Sequence, residues 1–418
     1  MKSVLDIIAD FKQPCPCGQA HETAIKDVQI GTGLVHQTGK ILRKNAFPNT
    51  LLLVADRNTL AASAGILESL DGFDVEQHIY DDIRVATISH VEELEQKIRG
   101  RDIAVLSVGS GSVNDPCRLA AARQNVPLCV FATAPSMDGF ASYGAPLVHN
   151  GFKSSYAAKS PEVIIGDTAI LAAAPKALKS AGFGDMIAKY VALIDWEVAA
   201  LLTDEVCCPR VAALTRYATD TLMALADKVT ADDEYTAGKI FEALLLTGIG
   251  MSFTQNSRPA SGSEHIIAHL IECIELRDDK IPNFHGEDIG VCTLHTLRLY
   301  NQLAQRETIN AHREQMDWDA VYRVYGDMAQ AVKKLNDPTI TDKVDPARLT
   351  ACWPQIRDII RSVPDADTCE AAMRAAGCKL TVADIGKSQE LFDTCVQYSP
   401  YMRYRLTLLR LLPMIAES

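Results

Sequence analysis

The fold of this chain is decided by residues 103–115, which have the sequence IAVLSVGSGSVND. The first six form a short apolar run, which is typical of a strand buried on both faces of a parallel sheet. Small residues follow, and a helix is predicted from about Asn114 to Arg123. This order can bind a phosphate, because the amide groups at a helix N-terminus favour negative charge. The same pattern also occurs in turns that bind nothing, and Asn114 departs from the usual G-x-G-x-x-G motif.

Strands and helices alternate on both sides of this stretch. Further strands are predicted at 50–56, 74–80, 128–132 and 163–167. Such alternation indicates a parallel sheet with helices on both faces. From about residue 168 helical periodicity dominates, with prolines between the helical segments. The predicted fold class is therefore α/β, with a Rossmann-like parallel-sheet N-terminal domain over 1–168 and an all-helical C-terminal domain over 169–418.

Composition and charge exclude several classes of protein. The chain has 418 residues, of which 48% are hydrophobic and 22% charged, an ordinary globular balance. A formal net charge of −12 argues against a nucleic-acid partner, which requires a basic surface. The first residues have the features of a poor signal peptide, and no apolar run reaches the roughly 18 residues that span a bilayer. The twelve cysteines are interpreted as reduced thiols, which are typical of the cytosol. We therefore expect a cytoplasmic protein without a membrane partner.

Polar residues follow two of the predicted strands. Asp56 ends the strand 50–56, where it suits a contact with a ribose or adenine and equally suits the N-cap of the next helix. Residues 133–136, with the sequence TAPS, follow the strand 128–132 and place hydroxyl groups at the same edge. Because ligands of open α/β sheets bind at the carboxyl ends of the strands, this edge is the predicted ligand crevice.

Three segments of the helical half carry residues that bind divalent metals. Asp185 ends the sequence GFGD, which is predicted to open a helix. His265 and His269 are four residues apart, so they share one helix face, and His285 precedes another helix. One carboxylate with two or three histidines makes a metal site that keeps positions open for substrate. Each residue alone is more often a cap or an ordinary side chain, but together they favour a metal site.

A separate cluster near the N-terminus contains Cys15, Cys17 and His21. This spacing is that of half a zinc site, because structural zinc takes four ligands that usually come in two spaced pairs. The sequence offers no matching second pair nearby. A tight turn is therefore the favoured interpretation, and a metal site is the alternative.

These motifs resemble those of the iron-containing alcohol dehydrogenase and dehydroquinate synthase superfamily. Within it, the chain is most similar to the sn-glycerol-1-phosphate dehydrogenases, particularly their bacterial members. The motifs occur in the order of that family and span about residues 50–300. They are GSGSVND (109–115), TAPSMDGFAS (133–142), AKSP (158–161), GFGD (182–185), RPASGSEH (258–265) and FHGE (284–287).

The resemblance implies roles for individual residues. One divalent metal, which would be zinc, nickel or iron, would be bound by Asp185, His265 and His285. Asp138, Asp185 and His269 would contact the substrate and take part in catalysis, with the nicotinamide end as the alternative contact of Asp138. The residues that would hold NAD(H) or NADP(H) are Gly109, Ser110, Gly111, Ser112, Val113, Asn114, Asp115, Thr133, Ala134, Pro135, Ser136 and Ser142. Asp56 joins them as a candidate because of its position at the end of a strand, and not through the resemblance.

The implied reaction is the interconversion of dihydroxyacetone phosphate and sn-glycerol 1-phosphate, by a homodimer that serves phospholipid metabolism. The metal would polarise the carbonyl group, and His269 would supply a proton. The phosphate of this small substrate requires cations, for which Lys153, Lys159 and Arg258 are candidates, although each could equally be a surface charge.

Three other functions stay open at this point. The first is a glycerol or polyol dehydrogenase of the same superfamily, which would need no phosphate on its substrate. The second is a lyase like dehydroquinate synthase, which would show no net NADH turnover. The third is a binding protein that keeps the fold, and the intact set of metal ligands speaks against it.

Overall fold

The computed structural model describes residues 2–149 and 151–415, so the predicted domain ends at Met1 and 416–418 lie outside the described residues. The strands are β1 (Asp27–Gly31), β2 (Thr50–Asp56), β3 (Asp74–Tyr80), β4 (Ala104–Gly109), β5 (Leu128–Ala132), β6 (Gly144–His149), β7 (Phe152–Ala157) and β8 (Val163–Asp167). Six of them form one parallel sheet in the order β1-β8-β5-β4-β2-β3, and β6 and β7 form an antiparallel hairpin. The predicted parallel sheet is therefore confirmed.

Helices in the sheet-containing half precede the first strand or lie between strands along the chain. They are α1 (Val4–Phe11), α2 (Thr38–Lys44), α3 (Arg57–Ala62), α4 (Ile66–Ser69), α5 (Ile88–Ile98) and α6 (Gly111–Gln124). Strands β4 and β5 are buried along their whole length, as their apolar sequences require. Because β2, β4 and β5 are adjacent and parallel, they end at the same edge of the sheet, where Gly109 pairs with Ala132.

The second half of the described chain is helical, as predicted. Its helices are α7 (Thr168–Ala173), α8 (Lys176–Ile187), α9 (Lys189–Leu202), α10 (Pro209–Met223), α11 (Glu234–Thr254), α12 (Ser263–Arg277), α13 (His285–Leu303), α14 (Trp318–Tyr325), α15 (Ala329–Leu335), α16 (Pro346–Ala351), α17 (Trp353–Arg361), α18 (Ala366–Ala375), α19 (Gln389–Tyr398) and α20 (Leu408–Leu411). Helix α11 is apolar on most faces, and it is buried along most of its length. Among the described residues, no helix is both long and apolar enough to cross a membrane. The domain division at residue 168 stays a prediction.

The position of the GFGD segment corrects one expectation. This segment was expected to open a helix, but α8 already begins at Lys176, after Pro175, and residues 182–185 lie in its last turns. Glycine is tolerated there because the helix packs directly against other backbone. A Cβ on Gly182 would lie 2.0 Å from the Pro135 carbonyl oxygen, and one on Gly184 would lie 2.4 Å from that of Gly286.

Candidate active site and metal centre

Asp185, His265 and His285 converge from three different helices. Asp185 lies near the end of α8, His265 in the first turn of α12, and His285 is the first residue of α13. One ligand atom from each lies within 4.8 Å of the other two, and His265 Nε2 is 3.5 Å from Asp185 Oδ1. The close approach of α8 and α13 requires glycine, because a Cβ on Gly286 would lie 1.8 Å from the Ala181 carbonyl oxygen. These three side chains could hold one divalent cation.

Carboxylates orient both imidazole rings of this cluster. Glu264 Oε1 lies 2.6 Å from His265 Nδ1, and Glu272 Oε1 lies 3.3 Å from His285 Nδ1. A carboxylate accepts a hydrogen from Nδ1, which leaves Nε2 of each ring as the donor atom for a metal. Burial alone would lower the pKa of His265, but its hydrogen bonds to Asp185 and Glu264 raise it.

Lys189 connects two buried carboxylates at the base of the cluster. Its Nζ lies 2.7 Å from Asp185 Oδ1 and 2.7 Å from Asp138 Oδ2, while the Asp138 amide donates to Asp185 Oδ2 at 2.9 Å. Burial would raise the pKa of Asp185, but Lys189 and His265 hold it well below its usual range. Burial and the charge of Asp185 raise the pKa of Asp138. Asp185 is therefore the more strongly ionised of the two.

His269 lies beside the cluster on the same helix face as His265. Its ring centroid is 5.6 Å from that of His285 and 6.0 Å from that of His265. Burial lowers the pKa of His269 well below its usual value, and the positive charges of Lys153 and Arg403 lower it further. A neutral imidazole at this position can exchange a proton with a substrate.

The turn after β4 forms the beginning of α6. Ser110 is the N-cap and Gly111 the first helical residue, and Gly109 turns tightly enough that an added Cβ would lie 2.9 Å from Val113. Asn114 is fully buried and accepts a hydrogen bond from Ser107. Residues 109–112 therefore line the edge of the sheet, whereas the Asn114 side chain fastens α6 to β4.

Arg118 connects two of the residues predicted to bind the dinucleotide. Its guanidinium donates to Asp115 Oδ1 at 3.0 Å and to Ser142 Oγ at 3.0 Å. It also donates to the carbonyl oxygens of Gly139 and Gly144 at 2.7 and 2.8 Å. These contacts place Asp115 and Ser142 in a buried network under the crevice, and their contact with a dinucleotide stays a prediction.

Two further predicted positions lie at the same edge of the sheet. Residues 133–136 follow β5, and the close contact of Gly182 with Pro135 joins this loop to the helix that carries Asp185. Asp56 is the N-cap of α3, since its Oδ1 accepts from the Thr59 amide at 2.8 Å. The capping role is thus observed, and the contact with a ribose stays a prediction.

The three candidate cations for a substrate phosphate occupy different environments. Lys153 Nζ lies 2.9 Å from Glu272 Oε2, next to the carboxylate oxygen that orients His285. Lys159 pairs with Glu162 at 2.7 Å, and Arg258 pairs with Glu205 and donates to the Leu406 carbonyl oxygen at 2.7 Å. Of the three, Lys153 is the one that borders the cluster.

Comparisons with known proteins indicate the family of this chain. The family model of the iron-containing alcohol dehydrogenases matches residues 29–175. A glycerol-1-phosphate dehydrogenase [NAD(P)+] of Halalkalibacterium halodurans is 28% identical over 403 residues, which is 94% of each chain. A protein of the same name from Methanosarcina barkeri is 34% identical over 284 residues, covering 66% of this chain and 76% of that one.

This chain belongs to the glycerol-1-phosphate dehydrogenase family. Its fold also matches a solved structure, that of a probable glycerol dehydrogenase from Sinorhizobium meliloti. The two are 17% identical, with a TM-score of 0.62 over 91% of this chain and 90% of that one. The predicted fold class and the predicted family resemblance are both confirmed.

In this member of the glycerol-1-phosphate dehydrogenase family, four residues near the site were not predicted from the sequence. Lys189 follows Asp185 by four residues, and Glu272 follows His269 by three, so helical spacing was a usable signal for both. Glu264 is the direct neighbour of His265. Arg403 lies far along the chain, and no local pattern connects it to His269.

Proposed function

We propose that this chain is a metal-dependent, NAD(P)-linked dehydrogenase that interconverts dihydroxyacetone phosphate and sn-glycerol 1-phosphate. The observation that carries the proposal is the convergence of Asp185, His265 and His285 beside His269. The loop 133–136 at the carboxyl edge of the sheet packs directly on the same helix as Asp185. The names of the relatives from Halalkalibacterium halodurans and Methanosarcina barkeri support this substrate and this cofactor.

The donor set fits a divalent metal. One carboxylate oxygen and two imidazole nitrogens leave coordination positions open, which is the pattern of a catalytic rather than a closed site. Zinc, nickel or iron is proposed as the ion, held by Asp185, His265 and His285. When bound, such an ion supplies Lewis-acid stabilisation of negative charge on a carbonyl oxygen. Lys189 and Asp138 position the Asp185 carboxylate for this task.

The dinucleotide is proposed to lie along the carboxyl edge of β2, β4 and β5. The amide groups of Gly111 and Ser112 open α6, where backbone donors and the helix dipole favour a pyrophosphate. The nicotinamide end is proposed to lie along the loop 133–136, near Asp138 and the proposed metal ligands. The complete proposed set also includes Asp56, Gly109, Ser110, Val113, Asn114, Asp115 and Ser142.

His269 is proposed to pass the proton that accompanies hydride transfer. Its lowered pKa keeps the imidazole neutral at pH 7, so a ring nitrogen can accept a proton from the alcohol in oxidation. In reduction the same ring, briefly protonated from solvent, returns the proton to the substrate oxygen. Asp138 and Asp185 orient the substrate on the other side.

Lys153 and Arg403 are proposed to bind the substrate phosphate. Both carry positive charges that lower the pKa of His269, which supports a position for both near the proposed substrate. Burial lowers the pKa of Arg403, and an anionic partner would offset that loss of solvation. A homodimer in the cytoplasm and a role in phospholipid metabolism complete the proposal.

The test compares two substrates by the net oxidation of the reduced cofactor that each one causes. Oxidation of NADH and of NADPH is followed with dihydroxyacetone phosphate and, in parallel, with unphosphorylated dihydroxyacetone. We expect turnover with the phosphate ester and a rate at least about 100-fold lower without it, because charge-assisted hydrogen bonds to the phosphate are lost. Equal rates would indicate a polyol dehydrogenase, and no oxidation with either compound would contradict a dehydrogenase.

A further inference from the structure

A second group of metal-ligating side chains lies outside the proposed active site. Cys15, Cys17 and His21 come from the loop after α1, and Cys208 is the N-cap of α10. One ligand atom from each lies within 4.8 Å of the other three. Cys208 supplies the ligand that the N-terminal motif lacked, from 187 positions beyond His21. These four residues are called the Cys3His cluster below.

We propose that the Cys3His cluster binds one zinc ion in a closed, tetrahedral, structural site. Its measured distances are 3.5 Å between the sulfurs of Cys15 and Cys208, and 3.4 Å from His21 Nε2 to the sulfurs of both Cys17 and Cys208. Around a tetrahedral zinc, with zinc–sulfur bonds of about 2.3 Å, neighbouring ligand atoms are separated by roughly 3.5–3.8 Å. The cluster therefore already has nearly the spacing that zinc imposes.

The orientation of His21 independently indicates a metal ligand. Its Nδ1 lies 3.1 Å from the carbonyl oxygen of Phe253, at the end of α11. A carbonyl oxygen only accepts hydrogen bonds, so Nδ1 carries the proton and the lone pair of Nε2 points at the thiols. A backbone carbonyl on the outer nitrogen is a common way of fixing a zinc-bound histidine. The ring is 2% exposed and packs edge-on against Phe11 at 5.5 Å, so it is held in this position.

A disulfide is the competing explanation for neighbouring cysteines. The sulfurs of Cys15 and Cys208 are 3.5 Å apart, whereas a disulfide bond measures about 2.05 Å. A disulfide would also use only two of the three sulfurs and would leave His21 Nε2 facing an unbonded thiol. Three thiolates and one imidazole instead form a complete ligand set of the kind that structural zinc prefers.

The consequence of such a site is the attachment of the N-terminal segment to the helical half. Weaker contacts already hold this segment there, since Arg210 donates to the Asp10 carbonyl oxygen at 2.9 Å and lies over the Phe11 ring at 4.4 Å. Phe11 in turn stacks on Phe253 at 4.5 Å. Zinc would crosslink the loop after α1 to the start of α10, and the hydrogen bond of His21 to Phe253 would connect the site to the end of α11.

The experiment separates this site from the proposed catalytic one. The Asp185→Ala variant, expected to have an empty catalytic centre, is purified and its zinc is measured by mass spectrometry of the metals. We expect one zinc per chain, resistant to brief dialysis against a chelator. Adding Cys208→Ser should remove that zinc, whereas adding Cys207→Ser, which changes the adjacent cysteine outside the cluster, should not.

A second readout does not depend on these variants folding. Wild-type protein grown with cobalt should show thiolate-to-cobalt charge-transfer absorption, because the cluster has three sulfur ligands and the catalytic centre has none. The milder variant Cys17→Ser should weaken this absorption. The proposal is overturned if two results occur together: the Asp185→Ala protein contains no zinc, and the cobalt-loaded wild type shows no charge-transfer band. A Cys15–Cys208 disulfide in freshly purified, metal-free protein would overturn it as well. Neither result depends on turnover, so the proposed dehydrogenase activity is judged separately.

Discussion

The two groups of metal-ligating side chains differ in donor atoms and in how completely they surround an ion. Asp185, His265 and His285 offer one oxygen and two nitrogens, and a further histidine, His269, stands beside them without completing the set. The Cys3His cluster offers three sulfurs and one nitrogen, which fills a tetrahedron. An ion in the first group would keep positions open for a substrate, whereas an ion in the second would have a structural role only.

The two groups also fix their histidines by different means. Carboxylates hold the rings of His265 and His285, whereas a neutral backbone carbonyl holds His21. A carboxylate partner makes the imidazole a stronger base and adds negative charge near the ion, which tunes its chemistry. A carbonyl only fixes the ring. The surroundings of each group therefore match the role proposed for it.

The largest effect is expected from removing one ligand of the catalytic group. His285→Ala should lower kcat/KM at least about 1000-fold, because a two-ligand site loses the ion that stabilises charge in the transition state. His295→Ala is the matched control, since His295 lies on the same helix and packs on Phe392 at 5.1 Å. Kinetics and metal content are measured together. Full metal content with full activity in His285→Ala would remove this residue from the site.

A smaller effect is expected at the proposed phosphate site. Arg403→Ala should raise KM for dihydroxyacetone phosphate by about 10–100-fold, because one charge-assisted hydrogen bond contributes about 1.5–3 kcal/mol. Lys159→Ala is the charge-matched control, since Lys159 pairs with Glu162. Steady-state kinetics with both substrates check this. An equal loss with and without the phosphate group would show that Arg403 does not bind it.

A still smaller effect is expected from the carboxylate behind His265. Glu264→Gln keeps a hydrogen-bond acceptor beside Nδ1 but removes the negative charge, so affinity for the catalytic metal should fall about tenfold. Chelator competition measures this affinity. Zinc in the Cys3His cluster should be unchanged, and loss of both ions would mean that the two sites are not independent.

The smallest effect concerns another buried carboxyl near the catalytic group. Burial raises the pKa of Asp288 to about 7, and nearby Glu272 adds to the shift. The folded state therefore retains a proton that the unfolded state releases near pH 4, so this group's contribution to stability falls between about pH 4 and 7. Asp288→Asn should remove that pH dependence, which amounts to at most about 1.4 kcal/mol in the free energy of unfolding per pH unit. Urea unfolding at pH 5 and 8 tests it, and identical pH profiles for the variant and wild type would contradict it.

The sequence predicted those features that depend on local pattern. The buried runs of β4 and β5 specified parallel strands, because only apolar side chains suit a strand covered on both faces. The i, i+4 spacing of His265 and His269 placed them on one helix face without any tertiary information. The parallel sheet and the helical second half were predictable on this basis. The family was predictable only from the resemblance of six ordered motifs.

Features that depend on contacts between distant segments were not predictable. Cys208 joins Cys15, Cys17 and His21 only through the packing of α10 against the N-terminal segment, so its spacing in sequence carries no signal. The charge of Arg403 likewise acts on His269 from a distant part of the chain. Residues 182–185 were expected at the start of a helix, because glycine is uncommon inside helices. Their glycines instead allow close packing against Pro135 and Gly286, which only the three-dimensional structure shows.

Asp185, His265 and His285 are proposed to form a catalytic centre whose metal ion exchanges. The most direct measurement dialyses the protein briefly against a chelator, adds back zinc, nickel or iron separately, and follows NADH and NADPH oxidation with dihydroxyacetone phosphate. We expect activity to fall to background and to return with at least one of the three ions, while zinc in the Cys3His cluster is retained. Two results would contradict a metal-dependent catalytic centre. One is undiminished activity after removal of the ion has been verified, and the other is no activity with any of the three ions.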